Sequence, residues 1–383
     1  MRRRDFMTTG LAAIAVSAAS PAEAQSGATS TSQAPNPVKP ANRDQAIAIV
    51  ANARKIVTPN GVERLEAVKI GGIEQWVSVR GADKRNPVLL LIHGGPGYVS
   101  MPMSWWFARG WEEYFTVVQW DQRGAGKTYL LNGPTEVAPT MTQDRMVADA
   151  EEMAVWARRE LGKEKIFVAG HSYGSSLGLQ LAVRRPEWLY AYVGVGQVID
   201  GPESERRGWA FTLHAAQAAG NQEAVQQLEA IAPYFAPGRP SSLKDLFTQR
   251  KWLDFYGGVM AYRNGNSAED DLANLSPDYT DAEIPHIWEG NEFSERYLLQ
   301  PLLSLDLTNI REFKCPLIIF AGRHDVNVNS EVAAEWFAKV KAPSKQFVWF
   351  ENSAHLPMTE EPGKFLLSLV HHVRPIAVKA VVS

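Results

Sequence analysis

Ile166-Phe167-Val168-Ala169-Gly170-His171-Ser172-Tyr173-Gly174 is the stretch that decides the fold. A short, uninterrupted apolar run is the pattern of a strand buried on both faces. It leads straight into G-x-S-x-G, and a helical pattern follows to about Arg185. A serine on so tight a strand-to-helix turn has strained backbone angles and carries its hydroxyl out of the sheet. Glycine at 170 and 174 removes side chains that would strike the neighbouring strand and helix. The hydroxyl then faces the start of a helix, where free N–H groups can stabilise negative charge. The pentapeptide alone occurs by chance; strand before and helix after are the context it requires.

Outward from this turn the same rhythm repeats. Val88–Ile92, Phe115–Trp120, Tyr190–Val198, Pro316–Ala321 and Phe347–Phe350 read as short strands. Thr140 to Gln143 has capping-box spacing and opens a helix running to about Leu161. Strands alternating with helices predict a mostly parallel sheet covered on both faces. Glu66–Ile70 and Gln75–Val79, flanking Gly71-Gly72, read as a hairpin. Between Asp200 and Asn309 the rhythm gives way to a helical pattern that carries Trp209, Trp252, Tyr256, Trp288 and Phe293. Residues 200–309 are therefore expected to form a helical cap over the strand ends, where such sheets bind ligands. Residues 43–199 and 310–383 would be the two parts of the core.

Serine is a poor nucleophile without a base, so the chain must supply one. Asp325 follows the strand Pro316–Ala321 and His355 follows Phe347–Phe350, both at the carboxyl end that also carries Ser172. The order Ser, acid, His suits the elbow: Ser172 as nucleophile, His355 as general base, Asp325 holding the imidazole. His93-Gly94-Gly95-Pro96-Gly97 after the strand Val88–Ile92 lets backbone approach a substrate oxygen, and the amide of Gly95, with that of Tyr173, would form an oxyanion hole. His171 is expected to point away from the chemistry, and His324 is a rival base beside the acid. Neither the histidines nor the glycine clusters complete a metal or dinucleotide pattern, so neither a metal nor a cofactor is expected.

The 383 residues, 45% apolar and 21% charged with a formal net charge of -3, offer no electrostatic basis for binding nucleic acid. A small-molecule or short-peptide substrate is the expected partner. Cys315 is the sole cysteine, so no intrachain disulfide can form. Residues 1–24 read as an export signal: Arg2-Arg3-Arg4, an apolar run from Leu11 to Ala19, and Ala22-Glu23-Ala24 as a cleavage site. The run is shorter than the roughly 20 residues of a membrane span, so stable insertion is not expected after cleavage. Twin arginine followed by Phe6 resembles a twin-arginine signal, which implies a periplasmic or secreted protein. Residues 25–42, rich in Ser, Ala, Pro, Gln and Thr, read as a flexible tether.

Taken together, His93–Gly97, Asp121-Gln122-Arg123-Gly124-Ala125-Gly126 and Gly170–Gly174 resemble the prolyl iminopeptidases, serine hydrolases of the α/β-hydrolase superfamily. The resemblance covers roughly residues 60–198 and 310–375. It implies the α/β-hydrolase fold with a helical cap, no cofactor, and release of small N-terminal residues such as proline. Tyr173 stands where that family commonly has Trp, and Lys127 where a small residue is usual. An aminopeptidase needs a carboxylate for the substrate's free amine. Glu203, Glu205, Glu289 and Glu292 are the candidates, with Glu289 and Glu292 favoured beside Trp288 and Phe293. A carboxylester or lactone hydrolase would use the same triad with no such carboxylate.

Overall fold

The computed structural model describes residues 39–382 apart from 239, 240, 264 and 266. The expected export signal and most of the expected tether lie outside the described residues. Ala41–Ser383 form one compact unit. Its sheet contains β1 (Val62–Ile70), β2 (Ile73–Gly81), β3 (Val88–Ile92), β4 (Thr116–Trp120), β5 (Ile166–His171), β6 (Leu189–Val195), β7 (Leu317–Gly322) and β8 (Lys345–Phe350). The spatial order is β1-β2-β4-β3-β5-β6-β7-β8. β2 pairs antiparallel with both β1 and β4, and every pair from β4 to β8 is parallel. This is the α/β-hydrolase fold.

Burial explains the residue choice. β3, β4, β5 and β7 are buried at every position, because helices cover both faces. Val88, Leu90 and Ile92 point into one apolar cluster, Leu89 and Leu91 into the other, as the two-residue strand period requires. β1, at the edge, alternates between half-buried and exposed positions. Its turn to β2 has positive φ at both Gly71 (60°) and Gly72 (86°), the geometry of a two-residue hairpin turn matched to strand twist.

The longer helices are α1 (Arg43–Arg54), α2 (Gly126–Asn132), α3 (Gln143–Glu160), α4 (Tyr173–Arg184), α5 (Gly201–Ala218), α6 (Gln222–Ala230), α7 (Leu243–Phe255), α8 (Ser267–Asn274), α9 (Pro285–Leu303), α10 (Ser330–Lys339) and α11 (Arg374–Val382). Helices α5 to α9 occupy the expected cap segment. Two local expectations shift. Thr142, not Thr140, caps α3 by accepting the Arg145 N–H at 3.3 Å, while the Thr140 hydroxyl donates to the Val137 carbonyl. β6 stops at Val195 because Gly196 turns the chain at φ 52°.

Candidate active site

The turn after β5 places Ser172 at φ 52°, ψ −122° immediately before α4, a backbone conformation that costs a non-glycine residue strain and persists where packing enforces it. The packing is visible. A Cβ on Gly170 would lie 2.4 Å from the Gly174 carbonyl oxygen, and one on Gly174 would lie 2.3 Å from that of Ile92. Only glycine lets the turn, the start of α4 and the end of β3 approach so closely. Tyr173 is the first residue of α4, so its N–H has no carbonyl a turn earlier to pair with. Its side chain is buried and donates to Gln143 at 3.0 Å.

β7 and β8 carry Asp325 and His355 in the loops beyond their carboxyl ends, the end of the sheet at which the turn after β5 places Ser172. His355 Nδ1 lies 2.8 Å from Asp325 Oδ2, with the Asp325 side chain fully buried and that of His355 6% exposed. The other Asp325 oxygen accepts the Asn327 and Val328 N–H groups at 3.0 and 2.9 Å, which fixes the carboxylate plane. The Ser172 N–H donates to the Val195 carbonyl, and Gly196, the next residue, packs under the imidazole. A Cβ there would lie 3.0 Å from two ring atoms of His355. The turn at Ser172 and an imidazole whose Nδ1 is held by a buried carboxylate thus both meet the chain at Val195-Gly196, and a serine and an imidazole so held are the groups that acyl transfer uses.

His171 lies in this site rather than away from it. Its Nε2 is 2.9 Å from the His355 carbonyl and its ring centroid 4.9 Å from that of His355. A carbonyl only accepts, so Nε2 carries the proton. Burial and the neighbouring His355 push His171 down to about 3, leaving it neutral. His324 turns outward, meeting the Tyr262 hydroxyl and the Glu351 carbonyl. Asp200 caps α5 by accepting the Glu203 N–H at 2.9 Å.

The glycine loop after β3 is fixed by His93. The Gln122 N–H donates to His93 Nε2 at 3.1 Å, which leaves Nδ1 as the protonated nitrogen, 2.9 Å from the Gly94 carbonyl. That carbonyl is the other end of the peptide group whose N–H belongs to Gly95. Burial lowers His93 to about 4, so this tautomer persists through neutral pH. Gly95, at φ 103°, lines a cavity of about 310 Å³ together with Ser172.

Val198, Leu246, Phe247, Leu299, Leu302 and Val328 form apolar walls of this cavity, and its charged residues are Glu205, Arg250 and Glu295. Glu205 is ion-paired with Arg250 and accepts the Tyr234 hydroxyl at 2.8 Å. Glu295 has no salt bridge among the described residues; it accepts a 3.4 Å hydrogen bond from Asn291, and burial raises its pKa. The favoured candidates Glu289 and Glu292 lie elsewhere. They are exposed on α9, paired with His286 at 2.7 Å and Arg296 at 3.0 Å. Glu203 pairs with Arg206 and Arg207. Glu292 and Glu295 are three apart and so neighbours along α9; a small difference in helical phase leaves Glu292 outside with Arg296 and Glu295 half-buried at the cavity, and nothing in the sequence marks where that boundary falls.

Further cap contacts were not foreseen. Lys127 pairs with Glu283 at 2.6 Å and lies over the Trp76 and Tyr279 rings, joining core to cap. Asp121 accepts the Lys127 N–H and the Tyr279 hydroxyl, and burial pushes its carboxyl up to about 7. Glu269 of α8 is 3% exposed, accepts the Thr359 hydroxyl at 2.9 Å, and is likewise pushed up to about 7 by burial. Among the described residues no cluster of His, Cys, Asp and Glu could hold a metal ion.

Fold and site together define a hydrolase, and the chain belongs to the alpha/beta hydrolase family, whose model matches residues 89–368. Within it, the chain is 29% identical over 314 residues to the probable aminopeptidase YbaC of Bacillus subtilis (strain 168), covering 81% of this chain and 96% of that protein. It is 24% identical over 294 residues to a proline iminopeptidase of Heyndrickxia coagulans, covering 73% and 88% of the two chains. The crystal structure of the Mycobacterium smegmatis proline iminopeptidase matches with a TM-score of 0.59 at 20% identity, over 83% of this chain and 100% of that one.

Proposed function

We propose that the protein is a serine aminopeptidase of prolyl iminopeptidase type, releasing N-terminal residues through an acyl-enzyme on Ser172. His355 takes the hydroxyl proton as Ser172 attacks the scissile carbonyl, and Asp325 stabilises the imidazolium that forms. The Gly95 and Tyr173 amides receive the oxyanion. His355 then protonates the leaving amine, and water releases the acyl group by the same route.

The observation that carries the amine specificity is Glu295, a half-buried carboxylate without a salt bridge among the described residues, in the apolar cavity that Ser172 also lines. An ammonium entering such a site needs an anion to offset its lost hydration. Its arrival would also relieve the burial penalty on Glu295. The relatives named aminopeptidase and proline iminopeptidase support this reading. One observation favours esters instead: Arg250 already neutralises Glu205, so the cavity is less acidic than its two carboxylates suggest. Glu295→Gln separates the two. It should lower kcat/KM for a prolyl arylamide about a hundredfold, equivalent to about 3 kcal/mol, while leaving a short-chain aryl ester nearly unaffected. Efficient ester cleavage, absent arylamide cleavage and no effect of Glu295→Gln would make the protein a carboxylester hydrolase.

A further inference from the structure

Helix α9 lies in backbone contact with the loops that follow β3 and β4. A Cβ on Gly290 would approach Gly126 N to 3.0 Å and the Gly124 carbonyl oxygen to 3.1 Å. Ser294 Oγ donates to the Gly124 carbonyl at 2.9 Å. A Cβ on Gly97 would come within 2.6 Å of the Ser294 side chain. Asn291 lies on this contact. Its Nδ2 donates to the Pro96 carbonyl at 2.7 Å and to Glu295 Oε1 at 3.4 Å. A primary amide nitrogen has two hydrogens, one for each acceptor. A carbonyl and a carboxylate only accept, so the amide can face them in one orientation alone.

We propose that Asn291 is a positioning residue that ties the carboxylate Glu295 to the oxyanion turn Gly95–Gly97. The inference rests on the reading of Glu295 as amine site and of Gly95 as oxyanion donor. One hydrogen holds the Pro96 carbonyl just after Gly95 while His93 Nδ1 holds the Gly94 carbonyl just before it, so the turn is restrained on both sides of Gly95 along the chain. The other sets the Glu295 carboxylate at a fixed place relative to that turn. A substrate amine seated at Glu295 is thereby registered against the N–H that receives the oxyanion, which converts binding of the amino end into alignment of the reacting carbonyl.

The test compares Asn291→Ala and the isosteric Asn291→Asp with Glu295→Gln and the Asn291→Ala/Glu295→Gln double variant, on a prolyl arylamide and a neutral aryl ester. Both Asn291 variants should lower kcat on both substrates roughly 10- to 100-fold, with KM for the ester changing little. On the arylamide the double variant should lose less than the product of the single losses, because the two residues act together. An Asn291 effect confined to KM, or full multiplicativity on the arylamide, overturns the proposal. Loss on the arylamide with unchanged ester kcat also overturns it, since the oxyanion turn serves both. If Glu295→Gln alone is silent, the amine reading fails separately, and ester kcat still tests the brace on the turn. Asn291→Asp keeps the volume of the side chain, so a folded variant remains should the alanine form prove unstable.

Discussion

Glu269 makes the stability of the protein depend on pH in a way that one substitution removes. Its carboxyl is buried on α8, hydrogen-bonded to Thr359, and raised from 4.5 to about 7. A carboxyl whose folded pKa is raised favours its protonated form in the native state. Its stabilising contribution is fully present below 4.5 and is lost as pH rises through about 7. The whole change corresponds to about 3 kcal/mol at 1.36 kcal/mol per pH unit. Glu269→Gln keeps the shape and an acceptor for Thr359 but cannot ionise. Relative to wild type, the variant should therefore gain about 3 kcal/mol in going from pH 4.5 to pH 8. Urea denaturation of both proteins at several pH values measures this difference directly, with equal slopes verifying that the unfolded states are comparable. Because His93 and His171, lowered to about 4 and about 3, pull the opposite way below pH 6.5, only the difference between variant and wild type is diagnostic. Parallel stability curves across the range would show that Glu269 ionises as it would in water, and the argument from burial would fall.

Ser172→Ala should abolish covalent labelling by a fluorophosphonate with the fold intact, and persistent labelling would move the nucleophile elsewhere. Asp325→Asn should lower kcat by roughly 10³–10⁴-fold with a native melting profile; near-normal turnover would require another acid. Gly174→Ala drives a Cβ to 2.3 Å from the Ile92 carbonyl oxygen and should destabilise by about 3 kcal/mol or more. Gly363→Ala, with nothing within 4 Å, should stay within about 0.5 kcal/mol in the same denaturation assay. For the proposed export signal, lysine at both Arg3 and Arg4 should retain precursor in the cytoplasm, and unchanged periplasmic yield would mean an ordinary secretory route.

The parts legible in the sequence are those in which a local rule dictates the residue. Val88–Ile92 is a strand in the sequence and in the structure because a doubly covered strand leaves no polar position to blur its ends. The Asp325–His355 pair was legible because both loops follow parallel strands at their carboxyl ends, the end of the sheet at which the elbow also lies. The cap resisted for the opposite reason. Which glutamate of α9 faces the cavity depends on how the helix is rotated against the loops after β3 and β4. That rotation is set by Gly290 and Ser294 meeting Gly124 and Gly97, contacts far apart in the chain. The place of His171 is illegible in the sequence for the same reason: its neighbour in space, the His355 carbonyl, lies on a distant loop.

The close seating of α9 has a bearing on how substrate range could be re-engineered. Sequence order groups α9 with the other cap helices, and an exchange of residues 200–309 with a relative would carry it along. Its inner face, however, is complementary to this chain's own glycine loops at Gly97, Gly124 and Gly126, with Asn291 on Pro96 and Ser294 on Gly124. The segment that can be exchanged with these contacts left in place is α6 and α7, because Glu269, Tyr279 and Glu283 further along hold Thr359, Asp121 and Lys127 of the core. A graft of that segment replaces the walls formed by Leu246 and Phe247 while leaving Glu295, Leu299 and Leu302 in register with Ser172.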